Sequence, residues 1–460
     1  MKWKIMRIRE RSILVVMIGF ILVFSDRCKK ETDPVITKEY DLNIDPETQF
    51  QMVEGFGASL AYYEDWLTAH PNKKEIYDAI FGELNLEILR VRNAYGYDAG
   101  MIDRVSEFVS EAEAVKGKPI KVLSTSWGPP AYLKNNHDRS NGGTLKYSIS
   151  NSNVQFDYSG FADWWEGALN DYNSHGINPT YIGIQNEPDF SASYESCRFD
   201  PIEKITGTDT IAGYDKALEA VYNMVEGRTA KPKLLGPESA GIGFNVVENY
   251  INALNTSYLY GIAHHLYHGV NKDDPWSSTD ISKVGAFHPE IPHFQTEYSL
   301  GGWFSLAGLI YKSLNDEDAV AYLYWELIWD GSGLVSLDNP WDQSRWSNSK
   351  GYSKTKDFYV FKQFSAFIHS GWKRIGTSKD NLVASLAFIN SANDSASIVL
   401  INRSSKDQCS VKISIAGHTI DKASAYRTSK VDDCLNTGIL NSPEVVLPTQ
   451  SIVTLVLSLK

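Results

Sequence analysis

From about Val53 to residue 371, short apolar runs rich in β-formers alternate with longer amphipathic stretches. The runs begin at Glu54 (EGFGAS), Glu87 (EILRVRNA), Ile120 (IKVLSTSW), Tyr181 (YIGIQNEP), Lys233 (KLLGPES), Gly261 (GIAHHLYH), His293 (HFQTEYS) and Ala321 (AYLYWEL). Most are followed by a polar loop and then a helix-like stretch, such as SGFADWWEGALNDYNSHG from Ser159, IAGYDKALEAVYNMVEG from Ile211 and KDFYVFKQFSAFIHSG from Lys356. All three end in Gly, a residue that stops helices. Eight strand-then-helix units predict an α/β chain built as a (β/α)8 TIM barrel over residues 51–371.

The pattern changes near Trp372. NLVASLAFIN, SASIVLIN, CSVKISIAG, SAYRTS and SIVTLVLSL are short strand-like runs without helical periodicity, split by Asn, Ser, Asp and Gly. They predict a small antiparallel β-sandwich domain over residues 372–460. Residues 39–50, which include EYDLNI, are expected to add a strand to it. Such a domain is expected to buttress the barrel by covering an apolar flank.

Residues 29–38 read as a polar tether, and residues 1–28 as a lipoprotein-type signal segment. Lys2, Lys4, Arg7, Arg9 and Arg11 precede a continuous apolar run over residues 13–24, too short to span a bilayer comfortably. Cys28 follows closely, as an acylated cysteine would, although Ser25, Asp26 and Arg27 make a degenerate lipobox. The expectation is a bacterial exported lipoprotein, periplasmic or at the cell surface, held to the membrane by a lipid on Cys28.

Composition narrows the function classes. The chain has 460 residues and a formal charge of -12, which disfavours a nucleic-acid partner. Its 12 Trp and 25 Tyr supply flat surfaces suited to sugar rings as well as to a core. Beyond Cys28, the cysteines are Cys197, Cys409 and Cys434. An odd count is not a disulfide framework, though Cys409 and Cys434 could pair after export. GIGF at Gly241 lacks the rest of a dinucleotide fingerprint, and no G-x-S-x-G esterase motif is present. His264, His265 and His268 lie on a strand and its exit, where their spacing does not converge on a metal. No cofactor, no metal and a monomer are expected.

The chemistry is expected at the C-terminal ends of the barrel strands. Glu187 ends the fourth run and Glu297 the seventh. A lone carboxylate there often caps a helix or pairs with an arginine. Two on one rim are what glycoside hydrolysis needs, one to protonate the leaving oxygen and one to attack the anomeric carbon or activate water.

IQNEP, TEYS, STSWGPPAYLK, HHLYHG, EGFGAS and QFSAFIHSGWKRI, in this order with the late β-domain, resemble glycoside hydrolase family 30 over nearly all of the chain after the leader. That family holds xylanases, glucosylceramidases and β-1,6-glucanases within a clan of retaining enzymes. The resemblance implies that Glu187 is the acid/base and Glu297 the nucleophile. It implies that Asn186 contacts the sugar 2-hydroxyl and that Arg90 keeps Glu297 ionised by depressing its pKa. Trp127, Tyr267 and Trp325 would line the subsite of the attacked sugar, and His265 matches a family histidine. Arg90 read without the family is a strand-end ion pair, and Trp127 and Trp325 are core residues. Trp329, Trp341 and Trp346, after the eighth run, are sugar platforms or loop core. Members that require a glucuronic acid branch carry an arginine and tyrosines in the same loop, where this chain has Arg345, and the sequence leaves that requirement open. The expected substrate is a plant or microbial polysaccharide, xylan first, with β-1,6-glucan or a β-glucoside or glucosylceramide as alternative. A different class is a non-catalytic glycan-binding lipoprotein on the same barrel.

Overall fold

The computed structural model describes residues 36–440 and 442–460, so Cys28 and the leader lie outside the described residues. After a long strand β1 (Thr37–Met52), eight parallel strands close a barrel in chain order. They are β2 (Gly55–Leu60), β3 (Ile88–Arg92), β4 (Lys121–Thr125), β5 (Tyr181–Gly183), β6 (Lys233–Ser239), β7 (Gly261–His265), β8 (His293–Glu297) and β9 (Ala321–Tyr324). Pairing of β9 with β2, Ala321 opposite Gly55, closes the ring. Each predicted apolar run overlaps one of these strands. Most runs overshoot at their C-terminal ends, because the residues there form the rim rather than the ladder. The predicted amphipathic stretches fold as helices Tyr158–Ser174, Tyr214–Glu226 and Lys356–Ser365 against the barrel's outside. The last ends six residues before Gly371, with Thr355 capping its start through a bond from Phe358 N.

Inside the barrel the side chains form layers. At the N-terminal end Glu54, just before β2, meets Lys121, Tyr181 and Tyr260, with both phenols donating to its carboxylate at 2.8 and 2.6 Å. Above it Ile88, Leu123, Leu235, Ala263, Phe294 and Leu323 make an apolar plug. The polar rim lies above that plug.

The late strands are β10 (Lys373–Thr377), β11 (Val383–Ile389), β12 (Ser395–Asn402), β13 (Gln408–Ile415), β14 (Ile420–Thr428), β15 (Leu435–Ile439), β16 (Glu444–Leu447) and β17 (Ser451–Leu459). With β1 they form one nine-stranded sheet in the order β15-β14-β17-β12-β11-β10-β1-β13-β16. It departs from the expected all-antiparallel arrangement at one place, where β1 runs parallel to β13 with Tyr40 opposite Val411. The whole barrel intervenes between these two strands, so no hairpin dictates their direction. Alternation splits the central strands into two apolar faces. Ile398, Leu400, Val453 and Leu455 pack on Val411 and Leu447 within the sheet's own core. Phe388, Val399, Ile401 and Ile452 join the barrel's outer core with Phe358, Phe361 and Phe364 of the helix Lys356–Ser365. Each such side chain taken from water contributes roughly 1.5–3 kcal/mol. Cys409 and Cys434 are free, one on β13 and the other before β15 at the far end of the sheet order, so the sheet separates them.

Candidate active site

Strand parity decides which side chains reach the rim. Along β3, Ile88 enters the apolar plug and Arg90 and Arg92 follow it inward, while Leu89 and Val91 pack outward. Along β8 the same parity starting from Phe294 would turn Glu297 away. The β7–β8 pairing slips by one residue, from His264 opposite Gln295 to His265 opposite Glu297, and the extra residue Thr296 turns Glu297 inward. A second slip on β6, between Pro237 and Ser239, turns Glu238 inward with a left-handed φ of 57°. Glu187, beyond β5, also has a left-handed φ, 46°. Such backbone costs on the order of 1–3 kcal/mol per residue and gathers at functional sites.

Arg90 is the hub. It is fully buried, and its Nη1 donates to Glu297 Oε2 at 2.5 Å and to Ser59 Oγ at 3.2 Å. Its Nη2 donates to Asn186 Oδ1 at 2.6 Å, and its Nε lies 3.3 Å from Glu238 Oε1. Its guanidinium stacks over the Trp127 ring at 4.4 Å. Because Asn186 Oδ1 faces Arg90, the Asn186 amide NH2 is left as a donor. Tyr267 OH donates to Glu297 Oε1 at 2.9 Å. His265 Nδ1 lies 3.1 Å from Glu187 Oε1 and 3.9 Å from Glu297 Oε1. One oxygen of Glu187 and one of Glu297 come within 4.8 Å of each other. Gln185 has a clear job: its Nε2 donates to the carbonyls of Trp127 and Asn186 at 2.8 and 2.9 Å, tying the end of β5 to the Trp127 loop.

Electrostatics separate the two carboxyls. Burial, helped by the charge of Asp189, pushes Glu187 up to about 7. Burial also lowers His265 to about 4, so its ring is neutral and gives Glu187 no cationic partner. Glu297 departs from the expected depression. Burial raises its pKa, and the Arg90 guanidinium pulls it only part of the way back. Arg90 cannot do more because it is shared with Glu238, which is fully buried and takes a bond from Thr125 Oγ1 at 3.1 Å. Glu297 still has what Glu187 lacks, a guanidinium donating to it. When the pair loses one proton, the charge therefore settles on Glu297.

A cavity of about 850 Å³ opens over these groups. Trp127, Trp325, Tyr62 and Trp329 wall it, with Trp127 and Trp325 centroids 5.7 Å apart and Tyr62 6.2 Å from each. Phe190 and Tyr194 stand beside Glu187. All eight site residues expected from the sequence converge here: Glu187, Glu297, Asn186, Arg90, Trp127, His265, Tyr267 and Trp325. Tyr62, Tyr63, Tyr194 and Glu238 join them and were not expected from the sequence. Glu238 was within reach of the strand-end rule, since GPES is the exit of the fifth run. It needs Gly183, where any Cβ would collide with Glu238 Oε2.

The three loop tryptophans divide. Trp329 lines the cavity, Trp346 stacks on His70 at 5.2 Å inside the loop, and Trp341 is exposed. Arg345 is 84% exposed and paired with Asp342 at 3.0 Å, away from the cavity lining. The three histidines face three different partners, His264 toward Glu317, His265 toward Glu187 and His268 toward Asp189. Glu187, His265 and Glu297 are close enough to share a small cation, but the Arg90 guanidinium already sits against Glu297.

No protein-family model matches the chain. Solved structures do. The catalytic domain of a GH30 xylanase C from Talaromyces cellulolyticus matches at 22% identity and a TM-score of 0.70, over 91% of this chain and all of that one. A conserved exported protein from Bacteroides fragilis matches at 16% identity and 0.74, over 91% of this chain and all of that one. An endo-β1,6-glucanase matches at 17% identity and 0.69, over 91% of this chain and 94% of that one. Matches that run through both the eight-stranded barrel and the nine-stranded sheet give this chain a fold like that of glycoside hydrolase family 30.

Proposed function

We propose that the chain is a retaining glycoside hydrolase that cleaves a neutral β-linked polysaccharide by double displacement. The observation that carries this is the carboxyl pair: oxygens within 4.8 Å, one group raised to about 7 beside a neutral histidine, the other held by Arg90 and Tyr267. Retaining enzymes need their carboxyls about 5–5.5 Å apart, whereas inverting enzymes need room for a water between them. In the first step Glu297 attacks the anomeric carbon and Glu187 gives its proton to the leaving oxygen. In the second, Glu187 takes a proton from water, which displaces Glu297. The free NH2 of Asn186 would donate to the sugar 2-hydroxyl as oxocarbenium character develops. Trp127 and Trp325 would pack on the ring's apolar face.

Xylan is the first substrate in this reading and β-1,6-glucan the second, after the activities named for the neighbouring structures. Arg345 faces away, which supports a substrate without a uronic acid branch. Export with a lipid on Cys28 completes the proposal and rests on the leader. Cys28→Ala would move the protein from the membrane to the soluble fraction. Among the described residues no helix is long and apolar enough to cross a membrane. The functional test is a panel of xylan, β-1,6-glucan, β-1,3-glucan and aryl β-glycosides, with NMR of the newborn anomer. Release of the β-anomer supports the reading. Release of the α-anomer refutes retention, and binding of glycans without product favours a non-catalytic protein.

A further inference from the structure

An aromatic path leaves the cavity beyond β9 and β2, and in the barrel order β9 lies across from β5, the strand that precedes Glu187. Trp329 lines the cavity and meets Tyr63 at 4.7 Å between ring centroids. Tyr63 meets Trp66 at 4.7 Å, edge to face, and Trp66 meets Trp341 at 6.4 Å, again edge to face. Trp329, Tyr63 and Trp66 are half-buried, and Trp341 is 61% exposed. Single exposed apolar residues are common and need no explanation. Trp341 is different because its backbone is held while its ring is left in water. Asn339 Oδ1 accepts from Trp341 N at 2.9 Å, and the next residue, Asp342, pairs with Arg345. In the same loop Trp346 is tucked in, its Nε1 donating to Asn339 O at 2.8 Å. One loop thus half-buries one tryptophan and presents the other.

We infer that Trp341, backed by Trp66, is a remote sugar platform that extends the cleft. Its ligand is the stretch of a neutral β-glycan chain on the side of the attacked sugar away from the leaving group. The direction follows from the acid. Glu187 donates to the leaving oxygen, so Phe190 and Tyr194 beside it flank the departing chain, and the wall beyond Trp325 flanks the chain that stays. Stacked aromatic faces suit pyranose rings of either candidate glycan, because every such ring has an apolar C–H face. The inference rests on the functional reading above and extends it by several sugar units.

Binding is measured by calorimetry on Glu187→Gln, which holds substrate uncleaved, with xylobiose against xylohexaose and with the β-1,6-glucan disaccharide against its hexasaccharide. The hexasaccharide of the preferred series binds more tightly than the disaccharide. Adding Trp341→Ala removes about five- to tenfold of that hexasaccharide affinity, the range for losing one aromatic stack, and moves the disaccharide by less than about twofold. Trp341→Tyr restores most of the loss. Equal affinities for short and long chains, or a length dependence that survives Trp341→Ala, overturns the platform. Failure of the functional reading looks different: Glu187→Gln would then turn over the panel substrates at the parental rate.

Discussion

Glu54 and Glu187 sit at opposite ends of the same barrel, the first half-buried and the second buried, and their environments drive them in opposite directions. Glu54, at the N-terminal end, has Lys121 and two phenols aimed at it, and they hold it down to about 2 in spite of burial. Glu187, at the C-terminal end, has a neutral histidine on one side and Asp189 nearby, and burial lifts it to about 7. Glu187 is the deeper of the two, but what reverses the effect of burial at Glu54 is its supply of partners. The closed end gives its carboxylate every donor it can use and fixes it as an anion. The open end withholds a cation from one carboxyl and gives Arg90 to the other. A stabilising site and a proton-transfer site thus differ by what surrounds the same functional group.

The sharpest way to break this comparison is to neutralise each carboxyl and measure turnover. Glu187→Gln and Glu297→Gln are each expected to lower kcat by about 10³-fold or more on the best panel substrate, with far-UV circular dichroism unchanged. Glu54→Gln is expected to leave kcat within about twofold, since no path of polar groups joins it to the rim through the apolar plug. Comparable losses in Glu54→Gln and Glu187→Gln would mean that the two ends are not separate in function.

Much of this contrast was readable in the chain, and the limits are instructive. The eight strands were legible because buried parallel strands read as short apolar runs, and their exits could be found by where polarity returns. Glu187 and Glu297 followed from that rule alone. The inward turn of Glu297 was not legible, because it depends on the extra residue Thr296 in the ladder, and strand alternation would point it outward. Glu238, at the exit of the fifth run, was open to the same rule, but its inward turn depends on the slip on β6. Tyr62 reaches the cavity through a left-handed backbone, φ 67°, which no local pattern in SLAYYEDW announces. The parallel pairing of β1 with β13 joins segments separated by the barrel, so no turn encodes it. The fates of Trp329, Trp341 and Trp346 depend on a loop folded by its own side chains.

Stability should move in opposite directions at the two ends. The folded pKa of Glu54 is below its ordinary value, so its contribution is complete above about pH 4.5 and fades as pH falls toward 2. Glu54→Gln is expected to cost about 2 kcal/mol at pH 7, after discounting for its partial exposure, with the gap closing in acid. The folded pKa of Glu187 is above its ordinary value, so the native state holds a proton that the unfolded chain gives up. Its burial therefore costs stability increasingly between about pH 4.5 and 7. Glu187→Gln is expected to stabilise by up to about 3 kcal/mol above pH 7 and by little at pH 4. Urea unfolding of both variants at pH 4 and pH 8 measures the two signs. A stabilising Glu54→Gln or a destabilising Glu187→Gln at pH 8 would refute the assigned environments.

The smallest effect tests how the rim divides its single buried guanidinium. The acid form of Glu187 is needed for the first step, so kcat/KM should fall as pH rises through about 7, which is the limb set by the free protein. Glu238 competes for Arg90 at 3.3 Å. Glu238→Gln keeps the shape over Gly183 and removes one negative charge from the cluster. Arg90 is then less divided, and the ionised forms of Glu297 and Glu187 both become easier to hold. Both limbs of the kcat/KM profile should move to lower pH, by about half a unit to one unit. A residue that merely fills space would lower kcat/KM at every pH and leave the limbs where they were. A shift to higher pH would mean that the amide put in place of the Glu238 carboxylate no longer holds Arg90 against Glu297 and that the guanidinium has moved off the nucleophile. The direction of a small displacement therefore says whether Glu238 acts as a competing charge or as the brace that aims Arg90.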